Sequence, residues 1–262
     1  MSCMYPRAMP PRASRASRPL AADRPLAQQV RMRLAEGMAA GEWKPGEALP
    51  SESELASAFG VAIGTIRKAV DGLVAQQAVV RRQGKGTFVA AHDPRRLMFH
   101  FFHVVGRDGT KAYPEVTTLD FRRDRAGPAD AAALGIAPLD RVFRIRNVLT
   151  LGDRRAILDD IALPAELFPG LTEKIFLARD NTIYHLYQSR YGINVLRTDE
   201  RLRATQASRE EAQRLGIAEG AALLEIRRVA FTFRDRAVEL RLSRVDSEHF
   251  EYHNTLGKGE PL

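Results

Sequence analysis

The sequence has a single cysteine, Cys3, among its 262 residues. One thiol can form no intramolecular disulfide and no thiolate zinc site, and this usage agrees with a reducing compartment. No apolar run approaches the roughly 18 residues that a membrane-spanning helix needs, and the N-terminus has no apolar secretory segment. These absences predict a cytoplasmic protein with no membrane partner.

The composition is that of a folded protein, with 45% hydrophobic and 27% charged residues. At this length the chain can form two domains, each with its own core. The net charge of +8 suggests a polyanionic partner, but residues 1–92 hold 13 Lys/Arg and 7 Asp/Glu, and five of those arginines lie before residue 25. Charge alone therefore supports nucleic-acid binding only weakly.

Residues 1–24 are rich in Arg, Ser, Pro and Ala and show no apolar periodicity. This composition predicts a disordered leader. An Arg- and Ser-rich segment with one acid is also compatible with an organelle transit peptide.

Residues 25–90 carry the pattern of three helices and a hairpin. An apolar residue recurs every four positions after Pro25, which predicts the first helix, and the residues concerned are Leu26, Val30, Leu34 and Met38. Ser51 with Glu54 forms a capping box, so we expect a second helix from about Glu52 to Phe59 that ends at Gly60.

A turn over residues 61–64 should lead into the third helix. Its inward positions are apolar, and they are Ile66, Ala69, Val70 and Leu73. Two short strands, 79–82 and 87–89, flank a Gly-Lys-Gly turn that permits a tight hairpin. Three helices followed by a hairpin predict a winged helix-turn-helix.

Residues 91–97 interrupt the periodicity at Asp93-Pro94 and are predicted to be a linker to a second domain at 98–257. That domain contains an internal repeat, since Leu-Gly-Ile-Ala at 134–137 returns at 215–218, 81 residues later. Each copy follows a strand and a short helix and precedes a hairpin. Two such units predict an α+β domain with pseudo-twofold symmetry, a central antiparallel sheet and a cleft between the halves.

A capped helix is expected from about Asn181 to Tyr187, between the two units. Its N-terminal amides could face the cleft and attract an anion. An ordinary surface helix that packs Ile183, Leu186 and Tyr187 inward explains the same residues equally well.

The chain resembles the GntR superfamily, in particular its HutC-type members with a UTRA effector domain. In the first domain the resemblance is carried by Gly41-Glu-Trp-Lys-Pro-Gly46, Leu49-Pro-Ser-Glu52, Gly60-Val61, Thr65-Ile-Arg67 and Gln83-Gly-Lys-Gly-Thr-Phe-Val89. In the second domain it is carried by Leu163-Pro-Ala-Glu-Leu-Phe-Pro-Gly-Leu171, Tyr184, Tyr191-Gly192 and Leu215-Gly216. It implies a homodimer that binds a pseudo-palindromic operator, usually as a repressor, and a chorismate lyase-like fold that binds a small effector.

The resemblance also implies DNA contacts. Thr65 and Arg67 match positions on the recognition helix, and Gln83, Gly84 and Lys85 match the tip of the wing. Family members usually have basic or hydroxyl residues where this chain has Ser53, Ala62 and Ile63. Phosphate contacts from Lys68, Arg81 and Arg82 can compensate for those departures.

Family members that bind phosphorylated amino sugars hold the phosphate with two arginines, at positions occupied here by Asn147 and Leu149. Arg144 and Arg146 should lie on the opposite face of that strand. These departures argue against a sugar phosphate. Four further effector contacts are carried over, Asp159, Thr182, Tyr184 and Glu239, a set that suits a polyhydroxylated, zwitterionic or amine-bearing metabolite, or a small carboxylate at the helix N-terminus.

The sequence leaves two other functions open. A chorismate lyase-like enzyme would share the fold, but the sequence has no nucleophile elbow, phosphate-binding loop, dinucleotide fingerprint or HExxH motif, and we expect no catalytic residue, cofactor or metal. His100 and His103 should point to opposite faces of a strand, and His249 with His253 lacks a third zinc ligand. The second alternative is a winged domain that contacts protein instead of DNA.

Overall fold

The computed structural model describes residues 25–75, 78–90, 101–179 and 182–255. It divides into two compact units, residues 1–90 and 91–262. The expected leader at 1–24, the expected linker at 91–97, His100 and Asn181 lie outside the described residues.

The first unit is the winged helix-turn-helix that the sequence predicts. Its elements are α1 (Leu26–Ala39), α2 (Glu52–Phe59), α3 (Ile63–Ala75), β1 (Val79–Arg82) and β2 (Gly86–Val89), and the two strands pair antiparallel. One boundary was wrong, because α3 begins at Ile63 and not after Gly64. The Ala62 carbonyl accepts the Thr65 amide at 2.8 Å, which starts the helix within the expected turn.

Both ends of α2 are fixed as predicted. The Ser51 hydroxyl accepts the Glu54 amide at 3.3 Å, and the Glu54 carboxylate accepts the Ser51 amide at 2.8 Å. The Ser51 hydroxyl also donates to the Glu54 carboxylate at 2.8 Å, and this bond, together with the one from the Ser51 amide, lowers the pKa of Glu54. Gly60 ends the helix with φ of +63°, a left-handed conformation that costs glycine little.

The second unit contains a six-stranded antiparallel sheet among its described residues, in the order β4-β5-β6-β9-β8-β7. The first half contributes β4 (Glu115–Arg125), α4 (Pro128–Leu134), β5 (Arg141–Leu151) and β6 (Arg154–Pro164). The second half contributes β7 (Arg197–Gln206), α7 (Arg209–Leu215), β8 (Ala222–Phe231) and β9 (Ala237–Asp246). Between the halves lie α5 (Glu173–Leu177) and α6 (Ile183–Tyr191), and β3 (Val104–Gly106) pairs with β10 (Phe250–Tyr252).

The register of the two central strands shows the pseudo-twofold axis directly. Asp160 of β6 pairs with Leu242 of β9, and Ile161 pairs with Arg241. The offset between the halves is 81 residues from β5 to β8 and 82 from β6 to β9, because Asn147 pairs with Asp159 where Arg228 pairs with Arg241. Asp160 thus pairs with its own image, Leu242, so the predicted duplication is real and its axis passes through that pair.

The two faces of the sheet have different covers. On one face, α4 and α7 pack through small and aliphatic side chains such as Ala131, Leu134, Ala212 and Leu215. The other face carries α6 and a large aromatic cluster, which includes Phe143, Phe168, Phe176, Tyr184 and Tyr187. Of the helices in the described part of the chain, none combines the length and the apolar character needed to cross a membrane.

Candidate DNA interface and effector site

The recognition helix α3 buries its predicted apolar positions and presents charge on the other side. Its inward residues are all buried, and they are Ile66, Ala69, Val70 and Leu73. The Arg67 side chain is 62% exposed, and Lys68 is exposed as well. Thr65 is only half-buried, so its hydroxyl lies at the border of this face.

Glu52, the first residue of α2, contacts two of the cations that the sequence assigns to DNA. Its carboxylate accepts from Arg67 Nε at 3.1 Å and from Arg81 Nη2 at 3.4 Å. Arg81 also pairs with Asp71 at 2.6 Å. A charge network therefore connects α2, the recognition helix and the first strand of the wing.

The tip of the wing is exposed at Gln83, Gly84 and Lys85. Gly84 has φ of +69°, a conformation that favours glycine, and the Lys85 amide donates to the Arg82 carbonyl at 2.9 Å. The Arg82 guanidinium lies 4.7 Å from the centre of the Phe88 ring. The contact between Arg82 and Phe88 thus stabilises the hairpin, and Lys85 at its tip is exposed to solvent.

In the second unit, Arg241 brings together two of the carried-over acids. The Arg241 guanidinium donates to Glu239 from Nε and from Nη2, each at 3.0 Å, and from Nη1 to Asp159 at 3.1 Å. Ser243 donates to the other Asp159 oxygen at 2.5 Å. Asp159 and Glu239 are almost completely buried. A buried charge is tolerated when it is paired and hydrogen-bonded in this way.

Tyrosines of α6 complete the contacts of Glu239. The Tyr184 hydroxyl donates to one oxygen at 3.1 Å, and the Tyr187 hydroxyl donates to the other at 2.6 Å. Thr182, another carried-over residue, is the N-cap of α6 and accepts the His185 amide at 3.2 Å. Its oxygen thus already fixes the start of the helix that carries both tyrosines.

Asn147 lies on β5 directly opposite Asp159 and is 3% exposed. Its side-chain oxygen has no hydrogen-bond partner among the described residues. The equivalent position in the second half is Arg228, whose guanidinium pairs with Glu200. At this position the second half of the sheet therefore has an internal ion pair, whereas the first half has an amide oxygen that accepts no hydrogen bond from the described residues.

Arg144 and Arg146 lie on the opposite face of β5, as the alternation predicted. Arg144 pairs with Asp124 at 3.1 Å and with Asp130, and Arg146 pairs with Asp160 at 2.6 Å. Neither arginine is free to replace the two that phosphate-binding members use. Leu149 is buried in an aliphatic cluster beside β3 and β10.

Burial sets the electrostatics of this face. It raises the pKa of Asp159, against the opposing influence of Arg241 and Ser243. Burial also lowers the pKa of Arg241, but Glu239 and Asp159 outweigh it, and the net shift is well upward. Arg241 therefore remains charged, and Asp159 is the group of this pair that protonates more readily than usual.

His249 and His253, the histidine pair considered above as zinc ligands, do not come together in one cluster. Among the described residues, Asp246, Glu248 and His249 bring their possible ligand atoms within 4.8 Å of one another. His249 Nδ1 lies 2.8 Å from Asp246 Oδ2, so a hydrogen bond accounts for part of that grouping. His103 precedes β3 and does not lie within the strand.

Two family models match the chain. Residues 26–89 match bacterial regulatory proteins of the gntR family, and residues 111–251 match the UTRA domain. The chain belongs to the GntR family. The resemblance inferred from the motifs is confirmed, and the protein is a DNA-binding transcription regulator and not an enzyme.

Two relatives of this GntR regulator are repressors by name. It is 31% identical over 206 residues to a mannosyl-D-glycerate transport/metabolism system repressor of Escherichia coli (strain K12), covering 77% of this chain and 83% of that one. It is 30% identical over 213 residues to a probable fructoselysine utilization operon repressor of the same strain, covering 80% and 86%. The ligand-binding domain of a putative GntR-family regulator from Bordetella bronchiseptica superposes with a TM-score of 0.58 at 33% identity, covering 60% of this chain and 98% of that domain.

Sequence reasoning on this GntR regulator missed the residues that hold the predicted ones in place. These are Glu52 in the first unit and Arg228, Arg241, Ser243 and Tyr187 in the second. A signal for two of them was present, because Glu239, Arg241 and Ser243 alternate along β9 and must share one face. The alternation does not reveal which acid each cation meets.

Proposed function

We propose that this GntR regulator is a cytoplasmic homodimeric repressor that binds its operator through residues 25–90 and releases it when a metabolite enters the domain at 98–257. Repression is supported by the names of the two relatives at 31% and 30% identity. Operator binding as a dimer would match the symmetry of a pseudo-palindromic site. Size-exclusion chromatography with light scattering measures the molar mass in solution and so tests the dimer.

The observation that carries the DNA interface is the exposure of Arg67 on α3 together with the exposed Lys85 of the wing. A guanidinium on a recognition helix can bind a base edge with two hydrogen bonds, a contact worth about 1–3 kcal/mol of discrimination. A lysine at a wing tip neutralises phosphate and contributes about one unit to the salt dependence.

Fluorescence anisotropy with duplexes from the promoter of the protein's own gene tests this interface. We expect Arg67→Ala to lower operator affinity by roughly 5- to 150-fold, in keeping with the value of a base contact. Lys85→Ala should mainly flatten the salt dependence. Arg209→Ala, which removes an exposed arginine from α7, is the matched control. Undiminished binding by both wing and helix variants would refute the proposal.

The effector site is proposed to lie over Asn147, between Asp159 and Tyr184. A buried acceptor without a partner costs about 1–3 kcal/mol unless a donor reaches it. A ligand hydroxyl or amine supplies that donor, and the buried acids favour an amine further. We therefore propose a polyhydroxylated or amine-bearing metabolite, including zwitterions, as the effector class.

Thermal unfolding and calorimetry with fructoselysine, glucosamine and glucosamine 6-phosphate test this class. The first compound is chosen because one relative is named for fructoselysine utilization. We expect the unphosphorylated amines to stabilise the protein more than the phosphate ester does. Asn147→Leu should remove the stabilisation, whereas Gln213→Leu, an exposed amide on α7, should not. Preference for the phosphate ester would contradict the proposed class.

A further inference from the structure

Phe101 is the first described residue of the second unit, and it is held by two groups from distant parts of the sequence. Its carbonyl accepts from Arg228 Nη2 at 2.5 Å. Its ring packs edge-on against the Tyr184 ring, with centroids 5.3 Å apart and planes at 81°. Phe101 is itself buried, so neither contact is a loose surface encounter.

Tyr184 belongs to the proposed effector site, and Arg228 lies next to that site without forming part of it. Arg228 is the cross-strand neighbour of Arg241 on the same face of the sheet. Tyr184 donates to Glu239, which Arg241 also binds. A ligand that draws on these groups therefore acts on the contacts of Phe101.

Arg228 is fixed firmly enough to transmit such a change. Its side chain is 11% exposed and pairs with Glu200, which is 10% exposed. Tyr252 of β10 also donates to Glu200. A planar guanidinium can bind a carboxylate and a carbonyl at once, because its donors point in fixed directions.

We infer that Arg228 is a positioning residue that ties occupancy of the effector site to the backbone at Phe101. This inference rests on the proposed function, because it assumes an effector beside Arg241 and Tyr184. The covalent chain runs from Phe101 to the DNA-binding unit, so the strength of this anchor sets how the effector domain holds that end of the chain. Ligand binding changes the anchor by drawing on Tyr184, which packs on Phe101, and on Arg241, the cross-strand neighbour of Arg228.

The first test needs no ligand and uses hydrogen exchange of the full-length protein. Arg228→Lys keeps a positive charge against Glu200, but one ammonium replaces the fork that also reaches the Phe101 carbonyl. We expect amides just after residue 100 to exchange about tenfold faster or more, in keeping with the loss of a charged hydrogen bond. Arg227→Lys, the next residue on β8, is the control. Unchanged exchange in Arg228→Lys would overturn the inference.

The second test measures the coupling between effector binding and operator binding. It uses whichever of fructoselysine, glucosamine and glucosamine 6-phosphate stabilises the wild-type protein most. We expect Arg228→Lys to bind that compound, but its operator affinity should no longer depend on the compound. Adding the compound should change the operator affinity of this variant by less than about twofold, whereas typical allosteric coupling changes affinity by about 5- to 150-fold. An unchanged response would overturn the inference. Absence of binding to the wild-type protein would refute the effector class alone, and the exchange measurement would then decide.

Discussion

Glu52 should control how selectively this regulator binds its operator, and Glu52→Gln tests that idea. The carboxylate contacts Arg67 of the recognition helix and Arg81 of the wing strand at 3.1 and 3.4 Å. Glutamine keeps the size and removes the charge. The change therefore releases Arg67, leaves Arg81 paired with Asp71 alone, and removes a negative charge that DNA phosphates would repel.

The magnitude follows from exposure and charge. These pairs are 28% to 62% exposed, and ion pairs of that kind contribute about 0.2–1 kcal/mol, so the fold should be barely affected. Binding to unrelated DNA should tighten about fivefold and become steeper in salt, because Arg67 becomes available for phosphates and Arg81 loses one of its two acids. Operator binding should not gain in the same proportion, since Arg67 loses the acid that orients it. We expect the ratio of operator to unrelated affinity to fall about fivefold to tenfold.

Fluorescence anisotropy at several salt concentrations, with an operator duplex and a scrambled one, measures both affinities. Asp71→Asn is the matched comparison, because Asp71 contacts Arg81 but is not bonded to Arg67. It should raise the affinity for unrelated DNA and spare selectivity. If Glu52→Gln leaves both affinities and the salt dependence unchanged, Arg67 and Arg81 do not meet DNA in the way proposed.

Three other changes should have measurable effects. Ser51→Ala removes the capping box of α2 and should destabilise the first unit by about 0.5–2 kcal/mol in urea unfolding. Arg241→Met leaves Glu239 and Asp159 buried without their cation and should destabilise the second unit by about 3–5 kcal/mol; a smaller loss than that of Ser51→Ala would contradict the network. Burial raises the pKa of Asp159, so as the pH falls this carboxylate should become protonated, and amine binding should weaken, at a higher pH than for an ordinary aspartate. Calorimetry should show no such pH dependence for Asp159→Asn.

Local patterns predicted most of the helices and strands because their determinants are close in sequence. The capping box at Ser51 and Glu54 and the left-handed glycine at position 60 fixed α2 to the residue. The 81-residue repeat predicted both hairpins and the antiparallel sheet. The strands extend further than the apolar runs, as with β4 from Glu115 to Arg125, because the pairing of an edge strand continues through exposed polar residues.

The candidate site was only partly predictable. Resemblance brought Asp159, Tyr184 and Glu239 onto the same list, but the cation that joins them depends on β9 pairing with β6 in one register. The Arg241–Asp159 contact spans 82 residues, and Arg228 meets Phe101 across 127. Such contacts arise from the register of strands, which a one-residue shift would move to the other face.

The pairing of β6 with β9 joins the two halves of the sheet along one seam. Each half alone would expose a long strand edge bordered by Ile157, Ile161 and Leu240, and the surface that fits that edge belongs to the other half. A protease cut in the connection between α5 and α6 should therefore yield two fragments that remain associated. The same seam would allow the effector domain to be expressed as two separate polypeptides that assemble into one binding unit.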